Sequence, residues 1–167
     1  MLWHRLIQYN RYAHLMKIRD ESGEEALSRL AGKDLNRSGK VVNLVICGSS
    51  QYYDFAVIED AMDNWIDENE EPDMIILGGA SGVDYLAERW ADNYNIPIAV
   101  FAEAWIAERG GVSDSGRPEA DPGLVNRMLE KATHVLAFPG SNSKWTHIMV
   151  AAAQNEGIPT AVVELSE

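Results

Sequence analysis

From Val41 onward the chain alternates short, wholly apolar runs with longer stretches whose apolar residues recur every three or four positions. The short runs are Val41 to Cys47, Met74 to Leu77, Ile96 to Phe101, His134 to Phe138 and Ile158 to Val163. Between them Tyr53 to Glu68 places Phe55, Ile58, Met62, Trp65 and Ile66 at helical spacing. Tyr85 to Tyr94, Leu124 to Lys131 and Trp145 to Glu156 read as further helices. A strand that is apolar throughout is covered on both faces, the ordinary state of a parallel strand. Strand and helix in turn, joined by right-handed crossovers, predict an α/β fold: a doubly wound, mostly parallel sheet with helices on both faces. In such sheets ligands bind beyond the carboxyl ends of the strands, where the strand order reverses.

The first forty residues have a different texture. Leu2, Leu6, Tyr9, Ala13 and Met16 form an apolar helical stripe, followed by a polar stretch from Asp20 to Glu25. A second short helical segment covers Ala26 to Leu30, and Gly32 to Lys40 reads as linker. Residues 1–40 are thus expected to form a helical arm on a globular unit of residues 41–167. Charge divides at the same place. The chain carries a net charge of -12, but the arm holds eight Lys or Arg against five Asp or Glu. The stripe predicts a helix packed on the domain or on a second copy, so a homo-oligomer through residues 1–40 is the expected assembly, with a specific partner as the alternative.

The acidic balance excludes non-specific nucleic-acid binding, which requires a basic face to displace counterions, and disfavours an anionic membrane surface. The single cysteine, Cys47, excludes an intrachain disulfide and a multi-thiolate metal site, and suits a reducing cytoplasm. No apolar run approaches the roughly 18–20 residues of a membrane span. His4, Arg5, Gln8, Asn10 and Arg11 interrupt the N-terminus, which is therefore not a signal peptide.

Three strands end in small, flexible residues ahead of a helix: Gly48-Ser49-Ser50, Gly78-Gly79-Ala80-Ser81-Gly82 and Pro139-Gly140-Ser141-Asn142-Ser143. Glycine permits a sharp turn, and a helix N-terminus behind it offers N–H donors to an anion. Neither the Walker lysine nor the spaced dinucleotide fingerprint is present. No His, Cys or carboxylate pair has metal spacing, and no cofactor beyond a nucleotide-type ligand is called for.

The order and wording of these loops resemble a known family. Gly48-Ser49, Gly78-Gly79-Ala80-Ser81-Gly82-Val83-Asp84 with Leu86-Ala87-Glu88-Arg89-Trp90-Ala91, Ile96-Pro97, Met128-Leu129, Phe138-Pro139-Gly140 and Gly157-Ile158-Pro159 are similar to the SLOG superfamily, in its YspA/YpsA-related branch. The resemblance runs from Val41 to Val163. It implies a Rossmann-like sheet that binds nucleotides or nucleotide-derived molecules. Relatives include proteins binding NAD-derived messengers in bacterial defence, cytokinin-activating phosphoribohydrolases and a branch that handles single-stranded DNA. The phosphoribohydrolases carry a Pro-Gly-Gly-x-Gly-Thr-x-x-Glu loop. Here Pro139-Gly140 precede a longer stretch through Lys144 and Trp145 to Thr146, and Met149 stands where that glutamate is expected. Methionine neither accepts a proton nor offsets positive charge, which weighs against that chemistry. The family's Arg-Asn pair before Met-Leu is displaced too. Its arginine position aligns with Leu124, and the nearby guanidinium is Arg127.

The expected ligand-binding residues are Gly48, Ser49, Gly78, Gly79, Ala80, Ser81, Gly82, Asp84, Pro139, Gly140, Ser141, Asn142, Ser143, Lys144 and Thr146. Ser81 and Asp84 also fit an S-x-x-D cap, and Thr146 or Ser141 could cap the last long helix. Lys144 could contact phosphate, Arg127 and His147 are further candidates, and His134 reads as structural. Tyr52, Tyr53 and Trp145 could stack on a base or pack in the core. The long polar stretch from Ala102 to Pro122 reads as a surface loop or as a lid closing Arg109 or Arg117 on an anion. Together these predict a small-molecule nucleotide-binding protein that senses or sequesters an ADP-ribose-like or NAD-derived molecule, with no catalytic residue identifiable. The alternatives are a nucleotide-processing enzyme and a structural oligomerisation module.

Overall fold

In the computed structural model, residues 21–101 and 123–166 are described. The apolar runs become five strands: β1 (Asn43–Gly48), β2 (Met74–Leu77), β3 (Ile98–Val100), β4 (His134–Phe138) and β5 (Thr160–Val162). They form one sheet in the order β3-β2-β1-β4-β5, with every pairing parallel. Five helices accompany them among the described residues: α1 (Gly23–Leu30), α2 (Phe55–Glu68), α3 (Val83–Asn93), α4 (Leu124–Leu129) and α5 (Lys144–Asn155). This is the expected α/β, Rossmann-like arrangement. The order runs outward from β1 in one direction and then restarts at β4, so the reversal lies between β1 and β4. No described helix is long and apolar enough to cross a membrane.

The period-2 geometry of the strands sends alternate side chains into two cores. Leu44, Ile46, Ile75, Leu77, Ile98, Val100, Leu136 and Phe138 enter the first, which α2 and α3 cover with Ile58, Met62, Trp65, Leu86 and Trp90. Val45, Cys47, Met74, Ile76, Ala99, Phe101, Val135 and Ala137 enter the second. There α4 and α5 supply Leu124, Met128, Met149 and Ala153, while α1 supplies Ala26, Leu27 and Leu30.

The described part of the arm is thus packed on the sheet. Its helix starts earlier than the apolar pattern suggests, inside the polar stretch, because the Ser22 hydroxyl accepts the Glu25 N–H at 3.1 Å and caps it. The segment after it is fastened rather than loose. Asp34 accepts the Ser38 and Gly39 N–H groups. Buried Asp73 accepts the Asn36 N–H on one oxygen and the Val42 N–H on the other, at 2.9 and 2.7 Å. The Asn36 amide donates to the Glu71 and Pro72 carbonyls. The stripe from Leu2 to Met16 lies outside the described residues.

At the amino ends of the strands His134 is buried, shares a 2.8 Å hydrogen bond with Thr133, and sits edge-on to Trp65 at 5.4 Å. Burial holds its pKa below the ordinary value; Lys40 pushes the same way and Glu70 opposes. The expected structural role fits this placement.

Candidate functional site

Parallel strands bring all their carboxyl ends to one edge, so the three loops singled out in the sequence are neighbours there. Ser49 is the knot between them. Its N–H donates to the Phe138 carbonyl at 3.0 Å, and its own carbonyl accepts the Val83 N–H at 2.9 Å. Its hydroxyl accepts the Gln51 N–H at 3.3 Å. One residue thereby joins β4, the start of α3 and the β1–α2 loop.

Two glycines are dictated by this junction. A Cβ on Gly82 would meet the Ser49 carbonyl oxygen at 2.3 Å, and Gly82 also holds φ at +67°, where L side chains rarely sit. A Cβ on Gly48 would meet the Phe138 carbonyl oxygen at 2.5 Å and Val83 at 2.9 Å. Both are in the set of expected binding residues, yet on the side where a side chain would stand the space is filled by protein.

The S-x-x-D pattern does not act as a helix cap. The α3 N-cap is Gly82, with no side-chain cap bond. Ser81 instead donates its hydroxyl proton to the Ser50 carbonyl at 2.9 Å, tying the second loop to the first. Asp84 reaches backward and accepts the Ala80 N–H at 3.0 Å. The chain turns at Gly82 with a positive φ, and the Ser81 hydroxyl is already taken up by the Ser50 carbonyl.

The third loop uses the same backward device. Ser143, the N-cap of α5, accepts the Gly140 N–H at 2.8 Å and makes no cap bond to the helix. Neither Ser141 nor Thr146 takes that place. Ser141, Asn142 and Lys144 are exposed around the turn, Pro139 and Ser143 are buried, and Thr146 is buried in the first turn of α5. His147 is exposed on the same helix.

The charges are placed unevenly. Asp84 is 4% exposed, and its carboxylate lies near enough to the Cys47 thiol to reinforce, after burial itself, the raising of that thiol's pKa far above the ordinary range. Arg127 is committed elsewhere: its guanidinium reaches Glu24 of α1 at 3.4 Å and lies 5.9 Å from the Phe101 ring centre, on the second-core side. Met149 is fully buried in that core, so the position expected to match the phosphoribohydrolase glutamate points away from solvent. Arg109 and Arg117, the expected lid cations, lie outside the described residues. Among the described residues no group of His, Cys, Asp and Glu could hold a metal ion.

Of the aromatic candidates, Tyr52 packs against the first core and Trp145 against the second. Tyr53 is exposed and meets Tyr85, whose ring centre is 6.4 Å away. Tyr85 is absent from the sequence-derived set. Its signal was present: it stands three residues after Gly82 on the face of α3 that the helical pattern leaves outside.

No curated protein and no solved structure matches the chain. Residues 42–107 match the family model YAcAr, described as the YspA, cpYpsA-related SLOG family. The matched stretch takes in the first two loops but stops before the third. It also contains the whole of the Ser49 junction on the β1 and α3 sides, the part of the site whose glycines the backbone requires. The similarity to the YspA, cpYpsA-related SLOG family thus rests on this segment, somewhat under half of the chain.

Proposed function

We propose that the protein binds a nucleotide or nucleotide-derived small molecule and acts by sensing or sequestering it, the ligand class being ADP-ribose-like or otherwise derived from NAD. The family points to nucleotide-derivative binding or processing in general. One observation carries the finer reading. Three helices, α2, α3 and α5, open at the carboxyl edge of the sheet, and none has a side-chain cap bond, whereas α1 is capped by Ser22. A helix N-terminus carries partial positive charge, and one whose N-cap side chain does not cover it suits phosphate.

The two loops of the reading are not equivalent. Around Gly78 to Gly82 a phosphate would face the Asp84 carboxylate, and the Val83 N–H is already given to Ser49. The turn from Gly140 to Ser143 has Lys144 beside it and no carboxylate in its own sequence. Phosphate oxygens fit there, on the α5 N-terminus, with the sugar toward the Ser81–Asp84 side. The homo-oligomer suggested by the arm remains part of the proposal, and sedimentation of the full chain checks it; a monomer at micromolar concentration removes it.

The test of binding is a thermal-shift panel of ADP-ribose, NAD, AMP and ATP with recovery of the ligand after denaturation. A ligand at about 100 times its Kd stabilises the fold by about 2.7 kcal/mol, several degrees in Tm. Intact ligand on recovery supports binding; altered ligand replaces the proposal with an enzyme. No shift with any of the four removes it.

A further inference from the structure

Tyr53, in the loop between β1 and α2, is 59% exposed, and Tyr85, in the first turn of α3, is 49% exposed. Their ring centres are 6.4 Å apart and their planes are tilted by 54°. Keeping two large rings in water forgoes the burial that normally places tyrosine at least half inside. They are also mounted on a rigid base. The segments that carry them are pinned to each other by the Ser81 hydroxyl on the Ser50 carbonyl and by the Val83 N–H on the Ser49 carbonyl. The Arg89 guanidinium also lies 4.4 Å from the Phe55 ring centre and ties α3 to the start of α2. With the planes tilted by 54°, a flat molecule that lies on one ring meets the other at an angle, face on one side and edge on the other.

We infer that Tyr53 and Tyr85 form a stacking platform for the base of the bound nucleotide, a purine-sized ring system, and so set which bases the site accepts. The inference rests on the nucleotide reading above and deepens it. A base suits the pair better than a protein partner does. A stable protein interface buries about 800 Å² on each side, whereas two half-exposed, mutually tilted rings offer one stacking face and one flanking edge, enough for a single bicyclic base. The pair also stands on the carboxyl side of the sheet, Tyr53 in the loop after β1 and Tyr85 in the first turn of the helix after β2. Stacking requires no charge, which fits a chain of net charge -12.

The test is calorimetric titration of ADP-ribose, and of ribose 5-phosphate as the probe without a base, into the full chain and into Tyr53→Ala, Tyr85→Ala and Tyr85→Phe. Stacking on an aromatic ring predicts that each alanine variant binds ADP-ribose roughly 5- to 100-fold more weakly. The phenylalanine variant keeps its affinity, because the ring and not the hydroxyl is required. Ribose 5-phosphate binds the alanine variants as it binds the parent chain, and more weakly than ADP-ribose throughout. Both rings are exposed, so Tm stays within a degree or two and confirms folding. Unchanged ADP-ribose affinity in both alanine variants overturns the platform while leaving the nucleotide reading intact. Equal losses for both probes overturn it too, by showing that the rings only shape the phosphate loops. A change in sedimentation without a change in affinity assigns the rings to contact with a second copy. If the parent chain binds no nucleotide, the broader reading fails and the platform with it.

Discussion

Gly82 and His134 show how single residues are held by their surroundings. At Gly82 the positive φ and the 2.3 Å approach to the Ser49 oxygen act together, so Gly82→Ala must either move α3 away from β1 or distort both. Strain of this kind costs about 1–3 kcal/mol, and the clash adds to it. We expect Gly82→Ala to lower stability by at least about 2 kcal/mol in urea unfolding; a loss below half that would mean the junction yields easily. His134 makes a pH-dependent contribution. Its pKa is depressed in the fold by burial and by Lys40, against Glu70. The unfolded chain therefore takes up this proton first as pH falls, so the stability present above the ordinary histidine value is lost as pH drops through the depressed one. Urea midpoints at pH 7.5 and 5.5 should differ more for the parent chain than for His134→Gln. Equal differences would remove His134 as the source. Ser81 and Asp84 carry a further lesson about reading residues. Their spacing fits a forward cap, but a short polar side chain bonds equally well backward, and the neighbouring turn at Gly82 decides which.

Among the elements, α1 is the one whose importance the sequence conceals. The arm's charge, its separation by Gly32 to Lys40 and its lack of family resemblance all suggest an appendage. In the structure Ala26, Leu27 and Leu30 are 2%, 6% and 7% exposed and complete the second core. Leu27→Ala should therefore cost about 2–4 kcal/mol, as for a buried leucine, measured by urea denaturation. A loss under about 0.5 kcal/mol, the usual effect of a surface change, would restore the appendage view. The five strands, by contrast, were all legible as apolar runs, β2 and β4 to the residue, while β3 and β5 are half as long as their runs. Both faces of β1 to β4 are buried, so their side chains are almost all apolar, and β4 ends where the pattern ends, whereas edge strand β5 leaves Val162 exposed. What pattern could not reveal is long-range hydrogen bonding. The clasp of Asn36 on Asp73 and the Pro72 carbonyl joins residues 36 positions apart or more, and nothing local in either segment announces it.

At the scale of the molecule, the parallel order β3-β2-β1-β4-β5 explains why loops distant in sequence share one edge. That much of the site could be located from the alternation of strand and helix alone. How the residues at that edge are engaged could not, because Gly48 and Gly82 meet protein on their open side, Arg127 is drawn to α1, and the proximity of Tyr85 to Tyr53 joins two separate loops. The net charge of -12 belongs to this scale as well. Self-repulsion of like charges opposes the compact state and is screened by salt. We expect Tm to rise by a few degrees as NaCl increases from ~10 to ~150 mM, where the screening length falls to about 8 Å. A flat or falling Tm would show that the attractive pairs outweigh the excess acid.

The lone thiol of Cys47 lies in β1, fully buried, with its proton held firmly by burial and by the Asp84 charge. Only a thiolate reacts readily with a disulfide reagent, so an intact sheet keeps Cys47 silent. Each labelling event then records one opening of the central strand. The chain thus carries its own stopwatch: the rate at which an aromatic disulfide marks Cys47 in native buffer reads how often the sheet parts, with and without a candidate ligand, and needs no denaturant.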